Sequence, residues 1–303
     1  MVSCFPLALP IFHMTRVYIR ILASLFALAV LAGMVLGAYY LYQETYLPEK
    51  QSIQQVKTLL STAAPKADPG KKQFDQAMDF IRQGNLEAAK QRLTEITEVY
   101  QDSSRNLDAR RVLGEINLDR LFSRSPMPGK LEYTAARGDS LHEIAQRFRS
   151  TLAYLRRVNH LLGPVVHPDD RLIVYPLDFT LQADFTEKRI TLTENGRFIK
   201  DYPILGLHLP YPSLPEQTTV GEKPAWIDAK KIQPNDERYP AARKWIQTVG
   251  RPGKPGIVFC ATPPAQAANP EPGIYLSESD IEELSTLVRV GAPVLFLKKH
   301  PAS

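Results

Sequence analysis

The chain changes its hydrophobic rhythm several times along its length. Residues 21–42 are apolar and uncharged for 22 consecutive positions, which as a helix spans about 33 Å, the thickness of a bilayer's hydrocarbon core. Arg16 and Arg20 precede this run and Glu44 and Glu49 follow it, so the positive side keeps residues 1–20 in the cytoplasm and exports the remainder. The expected element is a transmembrane signal anchor over 21–43, with Tyr39, Tyr40, Tyr42 and Tyr46 as an interfacial belt. A cleaved signal peptide is the competing reading, with Val35-Leu36-Gly37 as the small-residue site ahead of Ala38. A buried soluble helix is a third, and nothing downstream is apolar enough to surround it. Met14-Thr15-Arg16 has the form of a signal-anchor start, and on that reading residues 1–13 fall outside the protein.

Residues 44–72 are polar, carry Pro65 and Pro69-Gly70, and read as a linker. Over 73–125 the apolar positions recur every three or four residues. Phe74, Ala77, Met78 and Ile81 make one stripe, Gly84-Asn85 breaks it, and Leu86, Ala89, Leu93, Ile96 and Tyr100 resume it. Ala109, Val112, Leu113, Ile116 and Leu121 mark a third amphipathic helix. The hairpin loosely resembles one tetratricopeptide-type unit, through Ala77, Gly84 and Ala88; a single unit cannot bury its own face. The segment therefore reads as a small helical bundle acting as spacer or docking surface, with a peptide-binding groove as the alternative. Ser125-Pro126-Met127-Pro128-Gly129 ends it.

Residues 131–177 alternate strand and helix signals. Leu131 to Thr134 reads as a strand, and Gly138 as a tight turn. Ser140 and Glu143 form a capping box ahead of the stripe Leu141, Ile144, Ala145 and Phe148. Ser150-Thr151 caps a second helix whose Leu152, Leu155 and Val158 face inward, ending at Asn159, and Leu172-Ile173-Val174-Tyr175-Pro176 closes a compact βααβ unit. Tyr133, the Gly138-Asp139-Ser140-Leu141 turn, Ile144-Ala145, Phe148, Leu155, Asn159 and the closing strand together resemble the LysM family, with Asp170 where that family's closing turn usually has glycine. The resemblance implies recognition of N-acetylglucosamine-containing glycan, here peptidoglycan. The implied groove lies between Gly138, Asp139, Ser140 and Leu141 on one side and Asn159, His160 and Leu161 on the other. Turn amides suit an acetamido group and apolar edges suit a sugar face. Against this, Asn159 commonly serves local backbone bonding at such a helix end. His142, His160 and His167 lack metal-ligand spacing.

From 179 to 298 the period drops toward two. Residues 185–204 alternate around Asn195-Gly196, a hairpin turn signal; a long proline-rich interval follows; residues 257–262 read as a buried strand. A helix capped by Ser277, with Asp280 at the capping-box position, and a final strand over 292–297 complete the domain. In order, these pieces resemble the L,D-transpeptidase catalytic domain. That family's Ser-His-Gly-Cys-Ile-Arg segment falls on Pro270-Glu271-Pro272-Gly273-Ile274-Tyr275, so the resemblance places the nucleophile at Gly273, the histidine at Glu271 and the arginine at Tyr275. The upstream His-Gly-Thr falls on Cys260-Ala261-Thr262. A glycine cannot attack an acyl donor, so the expected domain is a pseudoenzyme with no catalytic residues. A relocated nucleophile at Cys260, or a general base at Glu271, is the enzymatic alternative, with His208 as the histidine of the domain proper. Trp226 and Trp245 either line a cleft or pack singly into a core.

Composition narrows the picture. Lys+Arg number 37 and Asp+Glu 32, a net charge of +5 without a long basic run, which argues against a nucleic-acid binder. Two cysteines, Cys4 and Cys260, support neither a disulfide framework nor a cysteine-rich metal site, and no metal or cofactor is expected. The fold expected is multidomain α+β: a transmembrane helix, a helical bundle, a βααβ LysM module and a β-rich transpeptidase-like domain. Its place is the bacterial cytoplasmic membrane, single-pass, with the domains in the periplasm or wall. Its partners are peptidoglycan, the membrane and, in a scaffolding role, wall enzymes.

Overall fold

The computed structural model describes residues 12–42, 68–163, 165–210, 214–228, 230–232, 236, 238–262 and 272–297. The described residues fall into two units, one before and one after residue 67. In the first, helix α1 (Phe12–Leu41) contains the stretch Ser24–Leu41, of mean hydropathy 2.0 and fully exposed, long and apolar enough to cross a membrane. The anchor helix predicted from residue 21 starts earlier, because no proline or glycine interrupts the chain between Pro10 and Gly33. It therefore takes in Arg16 and Arg20. Tyr46 and the predicted linker through residue 67 lie outside the described residues.

The second unit opens with α2 (Pro69–Arg82), α3 (Leu86–Val99) and α4 (Asn106–Phe122). Helix α2 begins ahead of the boundary predicted at 73, because Asp68 caps it. The Asp68 carboxylate accepts from the Gly70 and Lys71 amides and from Ser103 Oγ, Ser104 N and Ser104 Oγ. These donors, the Ser104 hydroxyl foremost, hold its pKa down to about 2. Ala77, Leu93, Ile96, Ala109 and Leu113 form the bundle's core.

Strand β1 (Leu131–Thr134), α5 (Leu141–Arg147), α6 (Leu152–Val158) and β2 (Arg171–Val174) follow in the predicted βααβ order, with β1 and β2 antiparallel. The next strands are β3 (Phe179–Asp184), β4 (Arg189–Glu194), β5 (Arg197–Pro203), β6 (Gly206–His208), β7 (Gln217–Glu222), β8 (Ala225–Ile227) and β9 (Lys230–Ile232). Then come β10 (Arg243–Lys244), β11 (Ile246–Thr248), β12 (Val258–Ala261), β13 (Gly273–Leu276), helix α7 (Glu278–Leu287) and β14 (Pro293–Leu297). Among the described residues they form a nine-stranded sheet, β5-β4-β3-β14-β7-β11-β12-β13-β6, and a three-stranded one, β10-β8-β9. Asn195 (φ 50°) and Gly196 (φ 79°) make the predicted two-residue turn between β4 and β5. The last strand, β14, enters the sheet interior, parallel to β3 and antiparallel to β7. Six strands, β6 to β11, occupy the interval that sequence reads only as proline-rich.

The bundle over 73–125, read from sequence as a spacer or docking surface, packs against the sheet that follows it. Helix α4 lies on β5. Arg110 makes a bidentate ion pair with Asp201 (2.5 and 2.8 Å), Asn117 donates to the Ile199 carbonyl, and Lys200 bridges Glu115 (2.9 Å) and Glu283 (3.0 Å). Gly114 permits the approach: a Cβ there would meet Lys200 Cγ at 3.1 Å. One continuous core runs from Leu118 and Leu121 of α4 through Ile144, Tyr154 and Leu155 to Leu181, Ile190 and Leu284. Lys130 Nζ returns to the carbonyls of Arg120 and Ser123, and Met127 packs on the core, so the segment that ends the bundle is fastened to it.

Candidate functional site

The turn between β1 and α5 is built on Gly138, whose φ of 92° suits glycine. Asp139 beside it is the hub of a polar network. Its Oδ2 accepts from the Tyr133 hydroxyl (2.5 Å) and the Ala136 amide (2.9 Å), and its Oδ1 accepts from Arg147 (3.4 Å). Arg147 also donates to the Tyr133 oxygen at 2.7 Å. The Tyr133 hydroxyl above all, then the Ala136 amide, lowers the Asp139 pKa. Ser140 caps α5 by accepting from the Glu143 amide, while Glu143 accepts from the Ser140 amide and hydroxyl, completing the predicted box. Gly138 and Ser140 are exposed.

Leu141 is different: at 1 % exposure it belongs to the core beneath the turn and offers no surface to a sugar. Asn159 is likewise interior, at 7 % exposure. Its Oδ1 accepts from the Ile173 amide (2.7 Å) and Arg124 Nη1 (3.3 Å), and its Nδ2 donates to the carbonyls of Leu155 (3.0 Å) and Ile173 (2.9 Å). Its bonding capacity is spent on joining α6 to β2, which corrects its place among the glycan contacts. His160 (φ 55°) is exposed and Leu161 half-buried. The two loops are laced together where Ala135 exchanges backbone bonds with Asp169 and Asp170, both 2.9 Å. Sequence reasoning missed Leu162 and Val165, at 97 % and 67 % exposure the open apolar groups of the second loop. The signal was present as the run Leu161-Leu162-Gly163-Pro164-Val165-Val166, too apolar for an ordinary loop.

The second candidate region lies on β6, β12 and β13. Strands β12 and β13 run parallel with Cys260 opposite Tyr275, and β6 runs antiparallel to β13 with His208 opposite Gly273 and Gly206 opposite Tyr275. Cys260, Gly273, Tyr275 and His208 therefore share one face of the sheet. Cys260 is 3 % and Tyr275 7 % exposed, whereas His208 is exposed. The Tyr275 ring covers Gly206, where a Cβ would meet it at 2.9 Å. A Cβ at Gly273 would stand 2.7 Å from the Val258 carbonyl oxygen and 3.5 Å from Cys260 Sγ, so the backbone leaves no room for a side chain at this position. Glu271 lies outside the described residues. The His208–Gly273 pairing is a relation that sequence could not supply, since 65 residues separate the two positions. Trp226 and Trp245 do not pack singly; their rings pair at 5.7 Å.

Residues 133–174 match the LysM domain family. No curated protein matches the chain. Among solved structures, an L,D-transpeptidase from Stackebrandtia nassauensis is similar at 16 % identity, covering 42 % of this chain and 58 % of that one, with a TM-score of 0.30. An L,D-transpeptidase from Mycobacterium smegmatis is similar at 15 % identity, covering 40 % and 59 %, with a TM-score of 0.29. L,D-transpeptidase 1 of Mycobacterium tuberculosis is similar at 15 % identity, covering 40 % and 62 %, with a TM-score of 0.27. The chain spans less than two thirds of each of these structures.

Proposed function

We propose that this chain is a membrane-anchored envelope protein that binds peptidoglycan through residues 131–177 without performing wall chemistry. The observation that carries the reading is the LysM domain match over 133–174, on a βααβ unit whose exposed Gly138 and Ser140 turn and exposed Leu162 and Val165 leave a mixed polar and apolar surface open. Helix α1 supports the anchor by its length and apolarity. Gly273 and Tyr275, standing where the transpeptidase resemblance puts nucleophile and arginine, support inactivity. The C-terminal part then serves in wall binding or as a scaffold for wall enzymes.

Binding of an N-acetylglucosamine pentamer, followed by calorimetry, tests this reading. Leu162→Asp is expected to weaken binding about tenfold, the loss of one apolar sugar contact, with no change in unfolding midpoint because the side chain touches solvent alone. No binding by the unaltered chain would remove the proposal. Restoring a thiol in Gly273→Cys is expected to lower stability by about 1–3 kcal/mol, through the contact with the Val258 carbonyl. It is also expected to give no acyl-enzyme on incubation with a wall tetrapeptide, read by intact mass.

A second reading, an active enzyme with Cys260 as nucleophile, draws on the shared face of Cys260 and His208. Against it stands the burial of Cys260, which keeps an acyl donor from the sulfur.

A further inference from the structure

A cavity of about 520 Å³ opens where α5 and α6 meet the segments that follow β7 and α7, and Gly138, Ser140, Leu162 and Val165 are not among its described lining residues. Its size suits a small organic ligand or a short peptide. Among the described residues that line it are Arg149, Arg156, Lys223 and Arg289, and no aspartate or glutamate. Four cations around one cavity repel each other unless anions answer them. The answer within the protein is partial: Arg149 (2.9 Å) and Arg289 (2.6 Å) share the single carboxylate of Asp178. Lys223 Nζ donates to the carbonyls of Ser285 and Val288, both 2.6 Å, and Arg156 Nη2 to that of Leu162, so these two cations meet neutral oxygens. Burial lowers the Lys223 pKa to about 8, against the opposing pull of the Glu282 carboxylate.

Two polar atoms in the wall are unmet. Ser150 is buried at 8 % exposure and its Oγ has no hydrogen-bond partner; Arg156 Nε is buried and without one as well. Buried donors left open beside a cationic cavity mark a place where a ligand's acceptors complete the structure. The wall itself is firmly held. Thr151 Oγ1 donates to the Thr286 carbonyl, the Leu177 amide to the Arg149 carbonyl (2.8 Å), and Arg289 Nε to the Leu177 carbonyl (3.0 Å).

We propose that this cavity is a second binding site, taking the carboxylates of a short acidic peptide, and that its ligand is the stem peptide carried by the glycan that the neighbouring βααβ unit holds. The identity of the ligand rests on the peptidoglycan reading above; the chemistry of the site, a multiply charged carboxylate, rests on its four cations and unmet donors. Two sites within one compact unit, engaging two parts of one polymer, raise the effective concentration of each for the other.

The test uses the full chain in detergent micelles and four probes: an uncharged N-acetylglucosamine pentamer, a glycan fragment bearing stems with free carboxylates, the same fragment with its carboxylates amidated, and the free stem tetrapeptide. Free-acid stems are expected to bind at least about tenfold more tightly than amidated ones, and increasingly so at low salt. Arg149→Gln removes a cation, and Ala153→Glu sets a negative charge in the cavity wall without breaking a hydrogen bond. Both are expected to abolish the preference while leaving the pentamer's affinity unchanged. Equal binding of acid and amidated stems by the unaltered chain, or a preference that survives both variants, overturns the site. Loss of pentamer binding by the unaltered chain, with the tetrapeptide still bound and still sensitive to Ala153→Glu, overturns the glycan reading and leaves the carboxylate site standing.

Discussion

Asn159→Ala is expected to lower the unfolding free energy by about 3 kcal/mol, more than any substitution on the exposed turns. The side chain replaces a missing piece of backbone: it receives the Ile173 amide and supplies the Leu155 and Ile173 carbonyls, all within a site 7 % exposed. Alanine leaves a buried amide and a buried carbonyl without partners and admits no water in return; each such group costs about 1–3 kcal/mol. Ser140→Ala, by comparison, removes an exposed cap and is expected to cost about 1 kcal/mol. Urea unfolding measures both. Below its midpoint, Asn159→Ala is expected to bind an N-acetylglucosamine pentamer within about twofold of the unaltered chain. A tenfold loss in the folded variant would return Asn159 to the glycan surface.

Tyr154→Ala is expected to cost about 4 kcal/mol, the scale of removing a buried aromatic side chain. The ring is fully buried between Phe122 (5.9 Å) and Tyr175 (6.4 Å), and its hydroxyl donates to the Leu121 carbonyl at 2.9 Å. It thus joins α6 to the end of α4 and to the segment that leads into the sheet. Tyr154→Phe keeps the ring, strands that carbonyl and is expected to cost about 1–2 kcal/mol. Because α4 places Leu118 and Leu121 in the same core as Tyr154 and Tyr175, far-UV helicity and the near-UV signal of the buried tyrosines are expected to change together in one transition, in the unaltered chain and in both variants. Helices that melt ahead of the tyrosine signal would mean that 73–125 folds apart from that core.

The βααβ unit was legible in the sequence because its instructions are local. Ser140 and Glu143 are three residues apart, Thr151 caps the helix it precedes, and the stripe Leu141, Ile144 and Ala145 needs only helical spacing. The same holds for the Asn195-Gly196 turn and the Ser277 cap. The helices of 73–125 were legible as amphipathic, but not what covers them, since Arg110 and Asp201 lie 91 residues apart. Strands β8 to β11 have two or three residues each, too few for a period, and stand among prolines that read as loop. Tyr154 escaped notice because α6 is only seven residues long and its apolar stripe was already accounted for by Leu152, Leu155 and Val158. At the site, Leu141 and Asn159 illustrate one limit: a motif position says that a residue matters, and only packing says whether it meets ligand or holds the turn.

The face shared by Cys260, Gly273 and His208 shows the converse. Sequence aligned the missing nucleophile with Gly273, and register then set a cysteine and a histidine on either side of it. The protein carries the residue types of a thiol enzyme with the thiol sunk at 3 % exposure and a backbone carbonyl pressed against the nucleophile's position. The proposal of wall recognition without wall chemistry draws on that geometry.

The measurement that bears most directly on this claim incubates the full chain, in detergent micelles, with purified insoluble peptidoglycan, scores retention by sedimentation, and then analyses the released wall peptides by mass spectrometry. The expected result is retention on the wall, with peptides identical to those from untreated peptidoglycan. New cross-linked or trimmed peptides that disappear with Cys260→Ala would contradict it and make the buried thiol a nucleophile.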